Sequence, residues 1–244
     1  IETYAPKLRP MLIDIAKFMY DHKNDNVLLE GAQGILLDLD VGTYPYVSSG
    51  CSSATGAAVG GGIGPKSIDY ITGVFKAYST RVGNGPFPSE FTVENDGDLG
   101  DQIRELGREY GVTTGRPRRC GYLDLVALKY SCQVSSLDSL ALTHLDVYDT
   151  MEEIKVCTAY DYNGQTIEAF PSSIEILNNA KPITKKFPGW KQELTKISHY
   201  DELPKNARTY IEFIEEYTET PIHIISVGYE RKQTIVRNDP WTPS

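Results

Sequence analysis

Short apolar runs that read like buried strands alternate with segments of helical apolar spacing along this 244-residue chain. Val27-Leu28-Leu29 stops abruptly at Glu30-Gly31, and two further runs occupy residues 139–149 and 221–228. The helically spaced segments are residues 7–20, 98–111, 122–134 and 204–217. This alternation favours an α/β sheet over an all-β sandwich, and it predicts that the strand ends face a ligand crevice.

Two regions depart from that alternation. Residues 31–64 hold nine of the 21 glycines, a density that predicts little regular structure. Residues 152–170 alternate apolar and polar positions around Asn163-Gly164, the preferred two-residue turn of a β-hairpin, and we expect an antiparallel excursion over residues 152–187. Because no repeat and no linker separates the chain into parts, we expect residues 1–244 to form a single α/β domain.

Composition argues against several classes of protein. The net charge of −9 and the pI near 5.0 disfavour a general nucleic-acid binder and a surface that binds anionic lipid. No run of about 18 apolar residues occurs, so no membrane span is expected. The four cysteines and four histidines lack the close pairs that zinc ligation uses, which favours free thiols in a reducing, cytoplasmic compartment.

Two glycine-rich segments could contact a ligand through their backbone. Residues 30–34, EGAQG, carry Gln33, whose amide can both donate and accept hydrogen bonds; an ordinary strand-to-helix turn is the alternative. Residues 40–50 combine Thr43 and two serines with glycines, the composition of a phosphate cradle, although a plain polar loop explains them as well. No GxxxxGK[ST] phosphate loop occurs in the sequence.

Residues 111–119, GVTTGRPRR, place three arginines behind two threonines in a loop of an otherwise acidic protein. Arginine forks bind carboxylate and phosphate groups at two points, and threonine hydroxyls can assist. Three neighbouring like charges repel unless anions neutralise them. The sequence therefore predicts either a clamp for carboxylate and phosphate groups, or pairing of Arg116, Arg118 and Arg119 with nearby acids.

Two strand ends offer groups that could recognise a base. In LTHLDVYD, residues 142–149, the Asp146 carboxylate can accept two hydrogen bonds from the N1 and N2 edge of guanine; helix capping or a solvated turn is the alternative. In IISVG, residues 224–228, backbone groups near Ser226 and Gly228 could meet a ligand. The alternative for this second segment is a strand end with no ligand.

Taken in this order, these segments resemble the adenylosuccinate synthetase family. The similar stretches include VLLEGAQGILLDLDVGTYPYVSS, KAYSTRVGNGPFPSE, REYGVTTGRPRRCGYLDLVALKY and ALTHLDVYD. The family joins IMP and L-aspartate using GTP and Mg²⁺, and it makes adenylosuccinate on the route to AMP. The resemblance implies a central, mostly parallel sheet flanked by helices, with a C-terminal antiparallel excursion.

The resemblance also implies a role for each matching residue. It assigns IMP contacts to Gln33, Ser48, Val82, Gly83 and Arg116, with Gln33 supporting catalysis near the hypoxanthine ring. It assigns aspartate contacts to Thr113, Thr114, Gly115, Arg116 and Arg118. It assigns GTP contacts to Arg118, His144, Asp146, Ser226 and Gly228, with Asp146 reading guanine.

The family begins with the motif GDEGKGK, which is not found in these 244 residues. Its catalytic Asp, a catalytic His and an Arg donated across a homodimer are also expected outside this chain. We therefore expect the chain to be the C-terminal portion of a longer synthetase, inactive alone, with the Mg²⁺ ligands in the missing part. A non-catalytic fragment that binds purine nucleotides is the alternative.

The sequence departs from the family pattern at four positions. Ser48, Cys51, His144 and Tyr229 stand where Thr, Asn, Lys and Pro are usual. A hydroxyl is retained at Ser48. At His144, an imidazole replaces the aliphatic stem and ammonium group that would stack on guanine.

Overall fold

The computed structural model describes residues 1–112 and 115–242. The chain divides into two compact units. Unit 1 comprises Ile1–Gly42 and Val47–Asp69, and unit 2 comprises Thr43–Tyr46 and the chain from Tyr70 onward. None of the described helices is long and apolar enough to cross a membrane.

Unit 1 contains three short helices, which are α1 (Ala5–Leu8), α2 (Ile15–Asp21) and α3 (Ala54–Gly61). The expectation of one helix over residues 7–20 is wrong, because the chain is extended at Leu12 (ψ 131°) after a 3₁₀ turn at Arg9–Met11. A new helix then starts where the Asp14 carboxylate accepts a hydrogen bond from the Lys17 N–H at 3.0 Å. The apolar positions of this segment remain outside the core, and Met11 is 73% exposed.

Two further expectations for unit 1 are corrected. Residues 27–29 form no strand, and Leu28 is 74% exposed, because unit 1 contains no strand among its described residues with which they could pair. The glycine-rich tract is also more regular than its composition predicts. Helix α3 forms there because its alanines favour the helix, although the Ser53 side chain at the N-cap position makes no capping hydrogen bond, and it ends at Gly62 in the left-handed region (φ 64°).

Unit 2 is built around three sheets. Its strands are β1 (Thr72–Lys76), β2 (Ser79–Arg81), β3 (Arg119–Gly121), β4 (Leu123–Asp124), β5 (Ser139–Thr143), β6 (Glu153–Tyr162), β7 (Gln165–Ile167), β8 (Lys181–Pro188), β9 (Ile222–Ser226) and β10 (Thr234–Val236). The main sheet has the order β1-β5-β9-β10, with β1, β5 and β9 parallel and β10 antiparallel. The expected α/β class with a mostly parallel sheet is therefore confirmed.

A second sheet in unit 2 is mostly antiparallel. The long strand β6 pairs with β7 and β8 in antiparallel fashion and with β4 in parallel. Tyr162 faces Gln165 across Asn163-Gly164, both of which have positive φ, so the expected two-residue turn forms. The third sheet is a small ribbon of β2 and β3.

The helices of unit 2 cover these sheets. They are α4 (Val93–Asp96), α5 (Leu99–Leu106), α6 (Leu125–Ser135), α7 (Ile174–Asn179) and α8 (Lys205–Thr218). Helices α6 and α8 match the segments predicted at 122–134 and 204–217. Helix α8 buries Ala207, Tyr210, Ile211 and Ile214 in the same core as Leu140 and Leu142 of β5. Burying an aliphatic side chain of this size stabilises the fold by roughly 1.5–3 kcal/mol.

Helix α5 ends earlier than the sequence predicts. The apolar pattern predicts helix over residues 98–111, but α5 stops at Leu106, with Gly107 rather than Gly111 as its C-cap. Arg108 then adopts a left-handed conformation (φ 52°), which turns the following residue, Glu109, into the interior. The four cysteines are free, as expected, and three of them are buried.

Candidate functional site

The carboxyl ends of three parallel strands lie at one edge of the main sheet of unit 2. Lys76 ends β1, Thr143 ends β5 and is followed by His144, and Ser226 ends β9. In open α/β sheets, ligands bind in the crevice outside such strand ends. This edge is therefore the candidate ligand-binding edge of unit 2.

The turn after β5 presents Asp146 at this edge. His144 adopts a left-handed conformation (φ 59°) and precedes a 3₁₀ turn, Leu145–Tyr148, for which it makes no side-chain cap. Leu145 and Val147 are buried and anchor the turn, so Asp146 between them is half-buried and fixed. No described residue donates a hydrogen bond to the Asp146 carboxylate, so the helix-capping alternative lacks support, and the solvated turn remains as an alternative.

His144 packs against Tyr78, which follows β1. The two rings meet edge to face with centroids 5.8 Å apart. Burial lowers the pKa of His144, and the nearby positive charge of Lys76 lowers it further. The imidazole is therefore neutral at neutral pH, so this position lacks the charge that a lysine would carry.

The turn after β9 is closed by its own groups. The Ser226 hydroxyl donates to the Gly228 carbonyl at 2.6 Å. A Cβ at position 228 would come within 2.3 Å of the Gln233 Oε1, which accepts the Glu230 N–H at 2.9 Å. A side chain at position 228 would displace the Gln233 amide and break this hydrogen bond, which favours glycine there.

The arginine segment forms a loop whose base is hydrogen-bonded. The Arg118 N–H donates to the Glu109 carbonyl, and the Gly111 N–H donates to the Arg116 carbonyl, each at 2.9 Å. Gly115 lies in the left-handed region (φ 63°), and its N–H donates to the Gly111 carbonyl at 2.7 Å. Arg116 and Gly115 are exposed. Thr113 and Thr114, which the resemblance assigns to aspartate, lie outside the described residues.

Arg118 and Arg119 pair with acids. Arg118 Nη1 donates to Glu109 Oε2 at 2.8 Å. Arg119 makes a two-point contact with Glu90, at 2.8 and 2.5 Å, and also donates to the carbonyl of Gly83 at 3.0 Å. The alternative that nearby acids neutralise the arginines thus holds for Arg118 and Arg119. Glu109 does not fully neutralise the charge of Arg118, because the same carboxylate also pairs with Lys76.

Glu109 receives three side-chain hydrogen bonds. Lys76 Nζ lies 2.6 Å and the Tyr78 hydroxyl 2.5 Å from its Oε1, while Arg118 donates to its Oε2. Burial opposes ionisation of this carboxyl, but the three hydrogen bonds outweigh it and hold the pKa of Glu109 below its ordinary value. One negative charge therefore faces two positive ones, so the cluster of Glu109, Lys76 and Arg118 itself carries a net positive charge.

Val82 and Gly83 form an exposed turn after β2. Val82 is 62% exposed, and Gly83 has φ 84°, which favours glycine. The Arg119 contact to the Gly83 carbonyl holds this turn beside the arginine segment. Thr43, by contrast, is buried and accepts a hydrogen bond from Arg81 at 2.8 Å, so the expectation that its hydroxyl lines a phosphate cradle is corrected.

Gln33 and Ser48 come together in unit 1. Gln33 adopts a left-handed conformation (φ 69°), which is uncommon for a residue with a side chain. The hydroxyls of Ser48 and Ser52 lie 3.1 and 3.3 Å from its Oε1. The Ser48 backbone is fixed by a hydrogen bond from its N–H to the Leu37 carbonyl at 2.8 Å. The two residues assigned to IMP in unit 1 are therefore neighbours.

One group of side chains in unit 1, Asp38, Asp40 and Cys51, is close enough to hold a metal ion. Asp38 is buried, and its carboxylate oxygens accept hydrogen bonds from the backbone N–H groups of Asp40, Val41 and Ser53. A thiol is a soft ligand that does not suit Mg²⁺. These residues do not fit a magnesium site.

Sequence reasoning did not single out Glu109, Lys76 and Tyr78. Lys76 could not be found from the sequence, because only the structure shows that β1 ends at this residue. Glu109 could not, because its burial depends on the early end of α5 at Gly107. Tyr78 lay within a run, GVFKAYSTRV, that reads as one strand but forms β1 and β2 with a break at Ala77-Tyr78.

Comparisons with known proteins agree with this description. The family profile described as adenylosuccinate synthetase matches residues 1–235. The chain is 50% identical over 236 residues to the adenylosuccinate synthetase of Clostridium novyi and 49% identical over 240 residues to that of Desulforamulus reducens. The first match covers 96% of this chain and 54% of the relative, and the second covers 98% of this chain and 55% of the relative.

A solved structure is also similar. The fully ligated adenylosuccinate synthetase from Plasmodium falciparum superimposes with a TM-score of 0.91 at 43% identity. The match covers 97% of this chain and 56% of that structure. The chain thus spans about half the length of the relatives that it matches.

Proposed function

The chain belongs to the adenylosuccinate synthetase family, and on that premise we propose that the protein carrying it joins IMP and L-aspartate, driven by GTP hydrolysis, to form adenylosuccinate. The observation that carries this proposal is a continuous set of contacts in unit 2. It runs from Arg118 through Glu109 to Tyr78 and His144, two residues before Asp146. An arginine suited to an anion is thus linked by contacts to a residue that lies two positions before an acid suited to a base edge.

The proposed reaction has two steps. The O6 oxygen of IMP attacks the γ-phosphorus of GTP, which gives GDP and 6-phosphoryl-IMP. The aspartate amine then attacks C6, and the C6–O6 bond breaks as phosphate leaves. The first step is needed because an oxygen on a purine is a poor leaving group until it is phosphorylated. Positive charge and positioning dominate such transfers because charge spreads over the phosphoryl oxygens.

Unit 2 supplies the charge and the base recognition. We assign the Asp146 carboxylate to the N1 and N2 donors of guanine. Ser226 and Gly228 would lie beside the base, and the His144 ring would contact it. Adenine has no donors at those positions, so ATP would leave the carboxylate unpaired and be rejected. Arg116 and Arg118, together with Thr113, Thr114 and Gly115, would bind the carboxylates of aspartate in two-point fashion.

Five residues would hold IMP. We assign Gln33 to the hypoxanthine and transferring phosphoryl region, and Ser48 to the IMP phosphate. Val82 and Gly83 would approach the ribose, and Arg116 would also touch IMP. The assignment of Gln33 and Ser48 is supported by the positive φ of Gln33, because such backbone strain clusters at functional sites. The hydrogen bond between the two side chains supports it as well.

The other groups that the proposed reaction needs would lie outside these 244 residues. The general acid and base and the ligands of the Mg²⁺ that accompanies GTP would come from the portion of the relatives that this chain does not span. The family resemblance further implies a cytoplasmic homodimer. Light scattering of the complete protein during size-exclusion chromatography would test the dimer, with a monomer contradicting it.

The complete protein, incubated with IMP, L-aspartate, GTP and Mg²⁺, should form adenylosuccinate, which absorbs at longer wavelength than IMP. Replacing GTP by ATP, or omitting aspartate, should abolish the signal, and the 244-residue chain alone should give none. Nucleotide binding by the complete protein without any turnover would contradict the synthetase proposal and support the alternative of a non-catalytic nucleotide-binding module.

A further inference from the structure

Glu109 is a buried carboxylate that none of the assigned roles uses. Its exposed fraction is 1%, yet it accepts hydrogen bonds from two cations and a phenol. Removing a charge from water costs several kcal/mol, and a buried ion pair is often no more stabilising than apolar side chains of the same size. Fold stability alone is thus a weak reason for an acid in this place.

The local sequence is arranged to bring Glu109 to its partners. Gly107 ends α5, and a Cβ at that position would lie 2.0 Å from the Tyr78 hydroxyl oxygen. Only glycine therefore lets the tyrosine reach the carboxylate. Arg108 then turns the chain through a left-handed conformation (φ 52°), which directs Glu109 inward.

Glu109 also accepts two hydrogen bonds from Arg118 at the base of the arginine loop. Its carbonyl accepts the Arg118 N–H at 2.9 Å, and its Oε2 accepts Arg118 Nη1 at 2.8 Å. One residue thus fixes both the backbone at the base of the loop and the direction of the guanidinium. Arg104 adds to this base, because its Nε donates to the Arg118 carbonyl at 2.9 Å.

The charges around Glu109 do not cancel. Lys76 and Arg118 contact the same carboxylate, and their side chains remain 27% and 32% exposed while Glu109 is buried. The shared acid therefore restrains both cations, and the cluster of these three side chains carries a net positive charge that is partly exposed to solvent. Such an arrangement suits an anionic ligand, since pre-oriented donors lose less entropy on binding.

We propose that Glu109 is a positioning residue, whose carboxylate orients Arg118 and Lys76 toward the anionic groups of aspartate and GTP. This inference rests on the proposed function. Lys76, which carries no assigned role, becomes through the same carboxylate a second cation of the site. Glu109 itself touches no substrate and acts through the two cations.

Glu109→Gln in the complete protein tests the proposal. Gln keeps the size of the side chain but removes the charge, so Arg118 loses a charge-assisted hydrogen bond. The KM for aspartate should rise about tenfold to a hundredfold, the range expected for one such bond, with a smaller change in kcat. In an Arg118→Gln background, Glu109→Gln should produce little further rise, because the two residues act as one unit.

A matched control is Asp124→Asn, which alters another buried acid. The Asp124 carboxylate caps α6 through the Ala127 N–H at 3.0 Å and accepts the Tyr160 hydroxyl at 2.8 Å. This variant should lower the melting temperature and leave the KM for aspartate unchanged. If Glu109→Gln does not fold, Glu109→Asp takes its place, because it keeps the charge while withdrawing the oxygens from Arg118; its KM for aspartate should rise similarly.

The outcomes separate the two proposals. A wild-type protein that forms adenylosuccinate, combined with a Glu109 variant whose KM for aspartate equals that of wild type, overturns the positioning role and leaves the proposed function standing. An additive rise in the double variant also overturns it. A folded wild-type protein that forms no adenylosuccinate overturns the proposed function, and the positioning role with it.

Discussion

Asp146 is held in place before any ligand binds. It sits between the buried side chains of Leu145 and Val147 in a 3₁₀ turn, and no described residue hydrogen-bonds to its carboxylate. A fixed, half-buried acid of this kind can discriminate between bases, because a wrong base leaves it unpaired and desolvated. Under the proposed function, discrimination of guanine from other bases would therefore depend on this one residue.

Asp146→Asn should weaken GTP more than ITP, whose base lacks the N2 amino group. The variant loses a charge-assisted contact to N2, worth about 1.5–3 kcal/mol, that ITP never makes. The ratio of the KM for ITP to that for GTP should therefore fall toward one. Asp138→Asn is the control, because it removes a carboxylate at the opposite end of β5, where Asp138 accepts the Ile71 N–H at 2.7 Å. Equal losses for both nucleotides would contradict the assignment of Asp146.

Individual candidate residues could be predicted from the sequence only where a motif carries them. Gln33 and Ser48 were named from a glycine-rich segment, and they prove to be hydrogen-bonded neighbours at 3.1 Å. The sequence allows either a ligand or an acid as the partner of Arg118, because it does not show which of many acids is buried. Glu109 is that acid, and its burial follows from a backbone turn at Arg108 that no spacing rule reveals.

At the scale of elements, complete amphipathic segments were predicted well and interrupted ones were not. Helices α6 and α8 carry an apolar face that packs against the sheets, so periodicity located them. The segment 7–20 has similar spacing, but Pro10 stands in a 3₁₀ turn and Leu12 is extended, which divides it. Residues 27–29 are apolar like a strand, yet a strand forms only where a neighbour pairs with it.

The junction between α5 and the arginine loop can be tested by substitution at Gly107. Gly107→Ala places a Cβ 2.0 Å from the Tyr78 hydroxyl and should lower the free energy of unfolding by about 1–3 kcal/mol. In a Tyr78→Phe background the hydroxyl is absent, so the same substitution should be less destabilising. Gly60→Ala in α3 is the control, because its Cβ would meet nothing within 4 Å. Additive effects in urea unfolding would show that Gly107 and Tyr78 are not coupled.

Asp149 links the end of the 3₁₀ turn that carries Asp146 to the segment around Trp190. Trp190 Nε1 and the Leu194 N–H donate to its carboxylate at 3.2 and 3.0 Å. Burial nevertheless raises the pKa of Asp149 from 3.8 to about 6, with the charges of Asp146 and Glu193 adding to the rise and the two hydrogen bonds opposing it.

The raised pKa of Asp149 predicts the direction in which the free energy of unfolding changes with pH. Between pH 3.8 and about 6 the folded protein keeps this proton while the unfolded chain loses it, so this group's contribution to the free energy of unfolding falls as pH rises. Asp149→Asn cannot ionise. The difference in unfolding free energy, wild type minus variant, should therefore decrease across that window. A difference that stays constant with pH would contradict the raised pKa.

For the whole molecule, the alternation of strand-like runs with helically spaced segments predicted the α/β class, and the family resemblance implied the mostly parallel sheet that unit 2 contains. It did not predict that Thr43–Tyr46 belongs with unit 2 while its neighbours on both sides belong to unit 1. That division depends on contacts such as the hydrogen bond from Arg81 to Thr43, which join residues 38 positions apart. Non-local pairings of this kind leave no periodic pattern in the sequence.

The fate of the O6 oxygen of IMP tests most directly the proposed reaction, in which O6 is phosphorylated and then leaves as part of phosphate. The complete protein would be supplied with IMP carrying ¹⁸O at O6, together with GTP, Mg²⁺ and L-aspartate, and the inorganic phosphate analysed by mass spectrometry. If O6 is phosphorylated and then displaced by the aspartate amine, each adenylosuccinate formed should be matched by one phosphate containing one ¹⁸O. Adenylosuccinate formed alongside unlabelled phosphate would contradict the account.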